Sequence, residues 1–326
     1  MTLKDCLKRG ALVTAANWHV VLVQFAADAL FKALLAVPVV GGVFLVVLLI
    51  GGNPSDLLAL PRNEIIPTIA SVLLAQPVAL AAFLLAVALV LVGGSLLMFL
   101  IKGGTVSVLV AAERGAGAIE YPPLRLPAFH RATHFTLERF TNGAAALFRR
   151  YLSLGIWLMV IYALSTVASL ALVLGPGDSD EDWRLLAVGA SAGLVVWITL
   201  VNFVYLLFQI VIATDDCSVR EAAVLVGRLL RTRFRLVFSI LVATAGLVVL
   251  TTAASILAAA ALGLIAFVPL VGLAALPLQL MAWLLRGVVF QYIGLTALVS
   301  HARVYRSLRD PAAVAVPDNA GAHIAH

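Results

Sequence analysis

The chain has 326 residues, of which 63% are hydrophobic and 12% charged, and its mean hydropathy is +1.10. So much apolar surface exceeds what one soluble core can hide, which excludes a soluble globular protein and makes lipid the expected solvent. The net charge of +6 is compatible with nucleic acid, but the basic residues are placed as anionic headgroups would require, so no nucleic-acid partner is expected.

The first segment, "TLKDCLKRGALVTAANW", runs from Thr2 to Trp18. It looks like a signal peptide only at first sight, because the apolar run behind it is too long and contains Asp28 and Lys32. Retention is expected. Two spans follow at about 20 to 50 and 69 to 101, each longer than the ~20 helical residues a bilayer needs. Pro38, Pro77 and, later, Pro277 are candidate kinks that absorb such surplus length, and the pairs Gly41-Gly42 and Gly93-Gly94 would let helices approach closely. Residues 102 to 134 then form an insert whose Gly-Gly and Pro-Pro breaks predict an extended crossing with short helices.

A second basic segment occupies about 130 to 150, with "TLERFTNGAAALFRRY" from Thr136 to Tyr151 as its repeat. It leads into spans at 151 to 174 and 185 to 213. The third, "SVREAAVLVGRLLRTRF" from Ser218 to Phe234, leads into spans at 236 to 265 and 269 to 300. Residues 310 to 326 read as a disordered tail. Each of the three segments opens on a Thr or Ser able to cap a helix and ends near an aromatic suited to headgroup depth. Leu137, Phe140, Ala144, Leu147, Phe148 and Tyr151 form one apolar stripe, and Val219, Ala222, Ala223, Val226, Leu229 and Leu230 another. The fold expected is therefore an all-α integral membrane protein over 1 to 309. Its six transmembrane helices form three hairpins, each preceded by an amphipathic interfacial helix at about 2 to 18, 130 to 150 and 218 to 234.

Of the 22 lysines and arginines, 18 fall on the side of the termini and basic segments, and only Arg62 and Arg184 fall in the opposite loops. The positive-inside rule then places both termini in the cytoplasm of a cell (inner) membrane. Lys4, Lys8, Arg9, Arg149, Arg150, Arg228, Arg231 and Arg233 are the candidate headgroup contacts, and the partners expected are lipids, preferentially anionic. A membrane-protein partner or homo-oligomer is compatible with this layout. Cys6 and Cys217, both on the cytoplasmic side, are expected to be unpaired thiols.

The stretch "VIATDDCSVREAAVLVGRLLRTRFRLVFSILV" resembles the signature of prokaryotic six-span proteins of the glycerophosphoryl diester phosphodiesterase membrane-domain type and their relatives. Asp215, Asp216, Glu221, Ala222, Arg228, Leu229, Phe234 and Arg235 carry the likeness, whereas Val226-Gly227 departs from the usual Ser-Trp type of pair. The resemblance covers about 30 residues by motif. It implies the fold and the location but not the phosphodiesterase activity, because the soluble domain that carries that chemistry is absent from this chain.

Ionisable and polar residues at span depth are candidate sites in their own right, because hydrocarbon burial is costly. Arg286 falls near the bilayer centre and shares a helical face with Gln279, Trp283 and Phe290; Asn202, Tyr205 and Gln209 form a second stripe; Asp28 and Lys32 stand one turn apart. They read either as a polar path or anion pocket built around Arg286, or as interhelical anchors with a self-neutralised Asp28–Lys32 pair. His130, His134 and Glu138, at i, i+4 and i+8, would share a face if that stretch were one helix, but lack a fourth ligand, so no metal is expected. No phosphate loop, nucleophile elbow or CxxC pair occurs in the sequence, so neither catalysis nor a cofactor is expected. Two functions stay open: a non-enzymatic scaffolding, regulatory or lipid-associated envelope protein, and a small permease or lipid translocator with a site around Arg286.

Overall fold

The computed structural model describes residues 2–50, 71, 74–121, 126–173, 181–266 and 271–310, and every regular element in them is helical. In chain order these elements are α1 (Leu3–Ala16), α2 (Trp18–Ile50), α3 (Pro77–Gly115), α4 (Leu126–Ala132), α5 (Leu137–Val173), α6 (Glu181–Asp215), α7 (Val219–Ala266) and α8 (Val271–Arg309). Six of them, all but α1 and α4, are long and apolar enough to cross a membrane, so the chain has a multi-pass architecture. Residues 311–326 of the expected tail, Arg62, and residues 174–180 and 267–270 between the expected spans lie outside the described residues.

Packing divides the domain expected over 1 to 309 into two compact units, Phe25–Phe99 and Met1–Gln24 with Leu100–His326. In the smaller unit Gly42 lies against the Phe83 ring and Gly94 against the Phe31 ring, so close that a methyl group at either would overlap the ring. Gly41 and Gly93 meet nothing within 4 Å, so one member of each pair makes the crossing. Pro38 and Pro277 stand inside α2 and α8, but Pro77 is the first residue of α3. At that position a missing N–H removes no helical hydrogen bond, so Pro77 opens a helix instead of kinking one.

In the larger unit the three basic segments begin at real caps. The Thr2 hydroxyl accepts from the Asp5 amide at 3.2 Å, while the Asp5 carboxylate accepts from the Thr2 amide at 3.2 Å. Ser218 and Glu221 repeat this reciprocal arrangement at the start of α7. Thr136 caps α5 through the Arg139 amide, but with Arg139 at the third position no carboxylate returns the bond. The second segment therefore starts at Thr136; the chain over 133 to 136 is non-helical, and Pro127 sits in the first turn of the separate short α4. α5 then continues into its span without interruption, whereas α7 is kinked at Arg233 (φ −128°, ψ 26°), where basic segment gives way to span.

The insert departs from its expected form at Gly103-Gly104, whereas residues 116–121 are non-helical and α4 is short, as expected. α3 runs through Gly103-Gly104 to Gly115, because an interior glycine costs a helix only about 1 kcal/mol and here the pair is packed against α5. A Cβ on Gly104 would lie 2.7 Å from the Phe140 carbonyl oxygen, and one on Gly103 3.3 Å from the Ala144 Cα. Phe140, Ala144, Leu147 and Tyr151, expected to face acyl chains, are therefore buried in protein. Ala222, Val226 and Leu229 of the third stripe are buried as well.

The core of this unit sits at the basic ends of the helices, where Leu109, Tyr151, Leu207, Ile210, Leu229, Ile240, Val299 and Tyr305 are buried. Toward the opposite ends, Leu164, Val195, Leu250, Leu257 and Leu285 are exposed, a surface stable only against hydrocarbon. α1 packs on the last helix: the Tyr292 hydroxyl donates to the Ala11 carbonyl at 2.9 Å, and the Ser300 hydroxyl lies 3.1 Å from the Cys6 carbonyl oxygen. At its end the buried Asn17 is fully used. Its amide donates to the Val13 and Ala132 carbonyls at 2.9 and 2.8 Å, and its oxygen accepts from the His134 and Phe135 amides at 2.9 and 3.1 Å.

A Cβ on Gly10 would lie 2.6 Å from the backbone oxygen of Thr296. Gly10→Val is expected to destabilise the α1–α8 crossing by about 1–3 kcal/mol, as overpacking does. Thermal denaturation of the detergent-solubilised protein reads this as a lower midpoint; an unchanged midpoint would mean that α1 does not pack on α8.

Candidate functional site

The densest polar constellation joins residues far apart in the chain. Arg9 is 1% exposed; its Nε donates to Glu113 Oε1 at 3.0 Å and its Nη1 to Glu120 Oε2 at 2.6 Å. The same guanidinium donates to the backbone carbonyls of Gly117 and, at 2.8 Å, Glu113. From α8, Arg303 reaches both carboxylates at 3.5 and 3.3 Å, and Arg306 reaches Glu113 at 3.1 Å. Gly117 supplies its carbonyl from φ +59°, the left-handed region that glycine enters without strain. Three guanidinium groups thus face two carboxylates, which ties α1, the end of α3 and the end of α8 together.

Asp215 and Asp216 stitch the turn between α6 and α7 to both neighbours. Asp215 accepts from Tyr305 and pairs with Arg309 at 2.9 Å on α8, whereas Asp216 pairs with Arg150 on α5. Asp216 holds φ 52°, which aspartate tolerates better than most residues. The Arg150 guanidinium, first by hydrogen bonding and then by charge, lowers the Asp216 carboxyl below its ordinary range. Arg114 adds a bond to the Thr214 carbonyl at 2.6 Å.

The intramembrane candidates do not converge on one site. Lys32 donates to Asp28 at 2.7 Å, a self-neutralised pair inside the smaller unit. Asn202 accepts from Tyr162 on α5 at 2.6 Å, while the backbone carbonyl of Gln209 accepts from Tyr151 at 2.8 Å. Tyr205 and Gln209, both buried, stand one turn apart on α6. Arg286 faces α7 instead, across a cavity of about 550 Å³ shared with Gln279, Thr251, Ser255 and Trp283. Its guanidinium stands 5.3 Å from the Phe290 ring centroid and has no ion-pair partner among the described residues.

The headgroup candidates divide in the same way. Arg9, placed with them by the sequence, is enclosed by Glu113 and Glu120 and cannot reach a headgroup. Arg150 is half-buried and committed to Asp216. Lys4, Arg149, Arg228, Arg231 and Arg233 are exposed and Lys8 is half-buried. His130, His134 and Glu138 do not share one helix: they fall on α4, the linker and the first turn of α5. No metal-binding cluster occurs among the described residues.

Sequence reasoning missed the ionic cluster. Its one visible sign was Glu113 and Glu120, two acids in an otherwise basic insert.

Removing one partner leaves a buried charge uncompensated, so Glu113→Gln or Arg9→Met is expected to cost about 3–5 kcal/mol, seen as a collapse of the thermal midpoint. A midpoint within a degree or two of wild type would show that these charges are solvated in the folded protein.

Burial pushes the Cys6 thiol up to about 11 and raises the Cys217 thiol less. Because the thiolate is the reacting species, alkylation at pH 8 should modify Cys217 well before Cys6, and denaturation should erase the difference. Equal native rates would contradict the packing of α1.

No known protein family, curated protein or solved structure matches this chain.

Proposed function

We propose that this chain is a non-enzymatic, lipid-associated multi-pass protein of the cell (inner) membrane, with both termini cytoplasmic, that scaffolds or regulates membrane partners. One observation carries the reading. Arg228, Arg231, Arg233 and Arg235 of α7 are exposed and have no ion-pair partner among the described residues, while Ala222, Val226 and Leu229 on the other face of that helix are held in the core. A group of exposed guanidinium groups beside a membrane span complements anionic phosphates, each worth about 1 kcal/mol near a charged surface. The concentration of 18 of the 22 basic residues on that side supports the orientation, and the likeness of 211 to 242 to six-span prokaryotic membrane proteins supports the location.

The cavity at Arg286 favours a second reading, a small permease or lipid translocator. A guanidinium about 24 Å along α7's neighbouring path beyond Arg235, at the level of Thr251, stands at hydrocarbon depth with no carboxylate opposite, a place where an anion in transit would be stabilised.

Two experiments separate them. The triple variant Arg228→Gln, Arg231→Gln, Arg233→Gln should lose its preference for nanodiscs containing anionic over zwitterionic lipid while folding normally. An undiminished preference would remove the first reading. Under the second, Arg286→Gln should abolish lipid or anion flux in reconstituted vesicles, and unchanged flux would rule that site out.

A further inference from the structure

Between α5, α6 and the first turn of α7 lies a groove of about 720 Å³. Its walls are apolar, with Trp157, Leu158, Trp197, Val204 and Phe208 among them, and Arg220 and Ala223 stand at one end. We infer that this groove holds one anionic phospholipid, its acyl chain between α5 and α6 and its phosphate on Arg220. The inference rests on the lipid-associated reading above and gives it a specific site, distinct from the general attraction of the arginine row.

The occupant follows from how polarity is arranged along the groove. The walls at 153 to 161 and 197 to 208 belong to candidate spans, so the apolar length opens where acyl chains stand. From Phe208 back to Trp197 the α6 wall extends roughly 16 Å, long enough to line much of a chain within one leaflet. Trp157 and Trp197 are 63% and 51% exposed, so hydrocarbon meets the groove without any helix having to move. Tyr205, 6% exposed, completes the wall on the α6 side.

At the mouth the charge is free and positive. Arg220 is exposed and has no ion-pair partner among the described residues. The carboxylates nearest it in sequence are already engaged: Glu221 accepts from the Ser218 amide and hydroxyl at 2.9 and 3.0 Å, and Asp216 pairs with Arg150. A molecule with a hydrocarbon tail and an anionic head therefore matches the groove at both ends. A soluble anion would leave the apolar length without an occupant, and a purely apolar segment would leave the cation without a counter-charge.

The test uses the full-length protein in detergent, incubated with phosphatidylglycerol or phosphatidylcholine and examined by native mass spectrometry. Wild type is expected to retain one phosphatidylglycerol in preference to phosphatidylcholine. Arg220→Gln should reduce that preference by about tenfold or more, the loss of one charge-assisted hydrogen bond, and Arg228→Gln should leave it intact. Ala223→Trp, which fills the mouth, should abolish retention of either lipid. The inference is overturned if Arg220→Gln keeps the preference, if Arg228→Gln loses it equally, or if Ala223→Trp still retains lipid. If wild type retains no lipid yet still prefers anionic nanodiscs through the arginine row, the groove fails and the broader reading stands. If a phosphatidylglycerol is retained but the nanodisc preference is absent, the groove stands without it.

Discussion

A guanidinium removed from water loses several kcal/mol of solvation that only well-placed acceptors restore, and Arg9 finds four of them on Glu113, Gly117 and Glu120, at the end of α3 and just after it. That requirement fixes much else. α3 must remain helical past its glycines to deliver Glu113, the chain after Gly115 must turn back to deliver Glu120, and α8 must extend far enough to bring Arg303 and Arg306 into the same space. An ion cluster of this kind is a weak source of net stability, since apolar residues of equal volume would pack there at lower solvation cost. Its contribution is register: wrong pairings of these three segments leave charge buried and unmatched.

The cluster lies in the part of the larger unit where side chains interdigitate, and the helices elsewhere offer mostly exposed apolar surface. In water this distribution would be untenable. In a bilayer the hydrophobic effect no longer drives helix against helix, so close packing is needed only where polar groups and small residues reward it. The glycine contacts at Gly10, Gly42, Gly94 and Gly104 mark such places. Between them the packing is looser, and grooves and cavities open between α5 and α6 and between α7 and α8.

The helices and their starts were legible because the signals are local. Thr2, Thr136 and Ser218 each stand where a capping residue is needed, and six apolar runs of sufficient length become six long helices. The first break expected in the insert is absent because Gly103-Gly104 announces a break when seen alone, and only the α5 backbone opposite explains why the pair is tolerated within a helix. The apolar stripe of the second segment was correct in composition, but periodicity says which residues share a face and not whether protein or lipid covers it. Arg9 could not be told from Lys4 or Lys8 by any neighbouring residue, because its partners lie 104 and 111 positions away. At the candidate site, Arg286 was visible as a charge in an apolar run, but the cavity beside it depends on small residues of α7 that no local pattern links to it.

Contacts between the first helix and the last impose an order on biogenesis. The Cys6 carbonyl meets Ser300 across 294 positions, and Glu113 meets Arg303 across 190. While the ribosome is still producing α8, the amino-terminal helix has Glu113 and Glu120 available but lacks the surface on which Gly10 and Val13 finally rest. The contacts that close this unit therefore form only after α8 has been made, and a chain truncated ahead of α8 leaves an open seam for quality-control proteases to recognise.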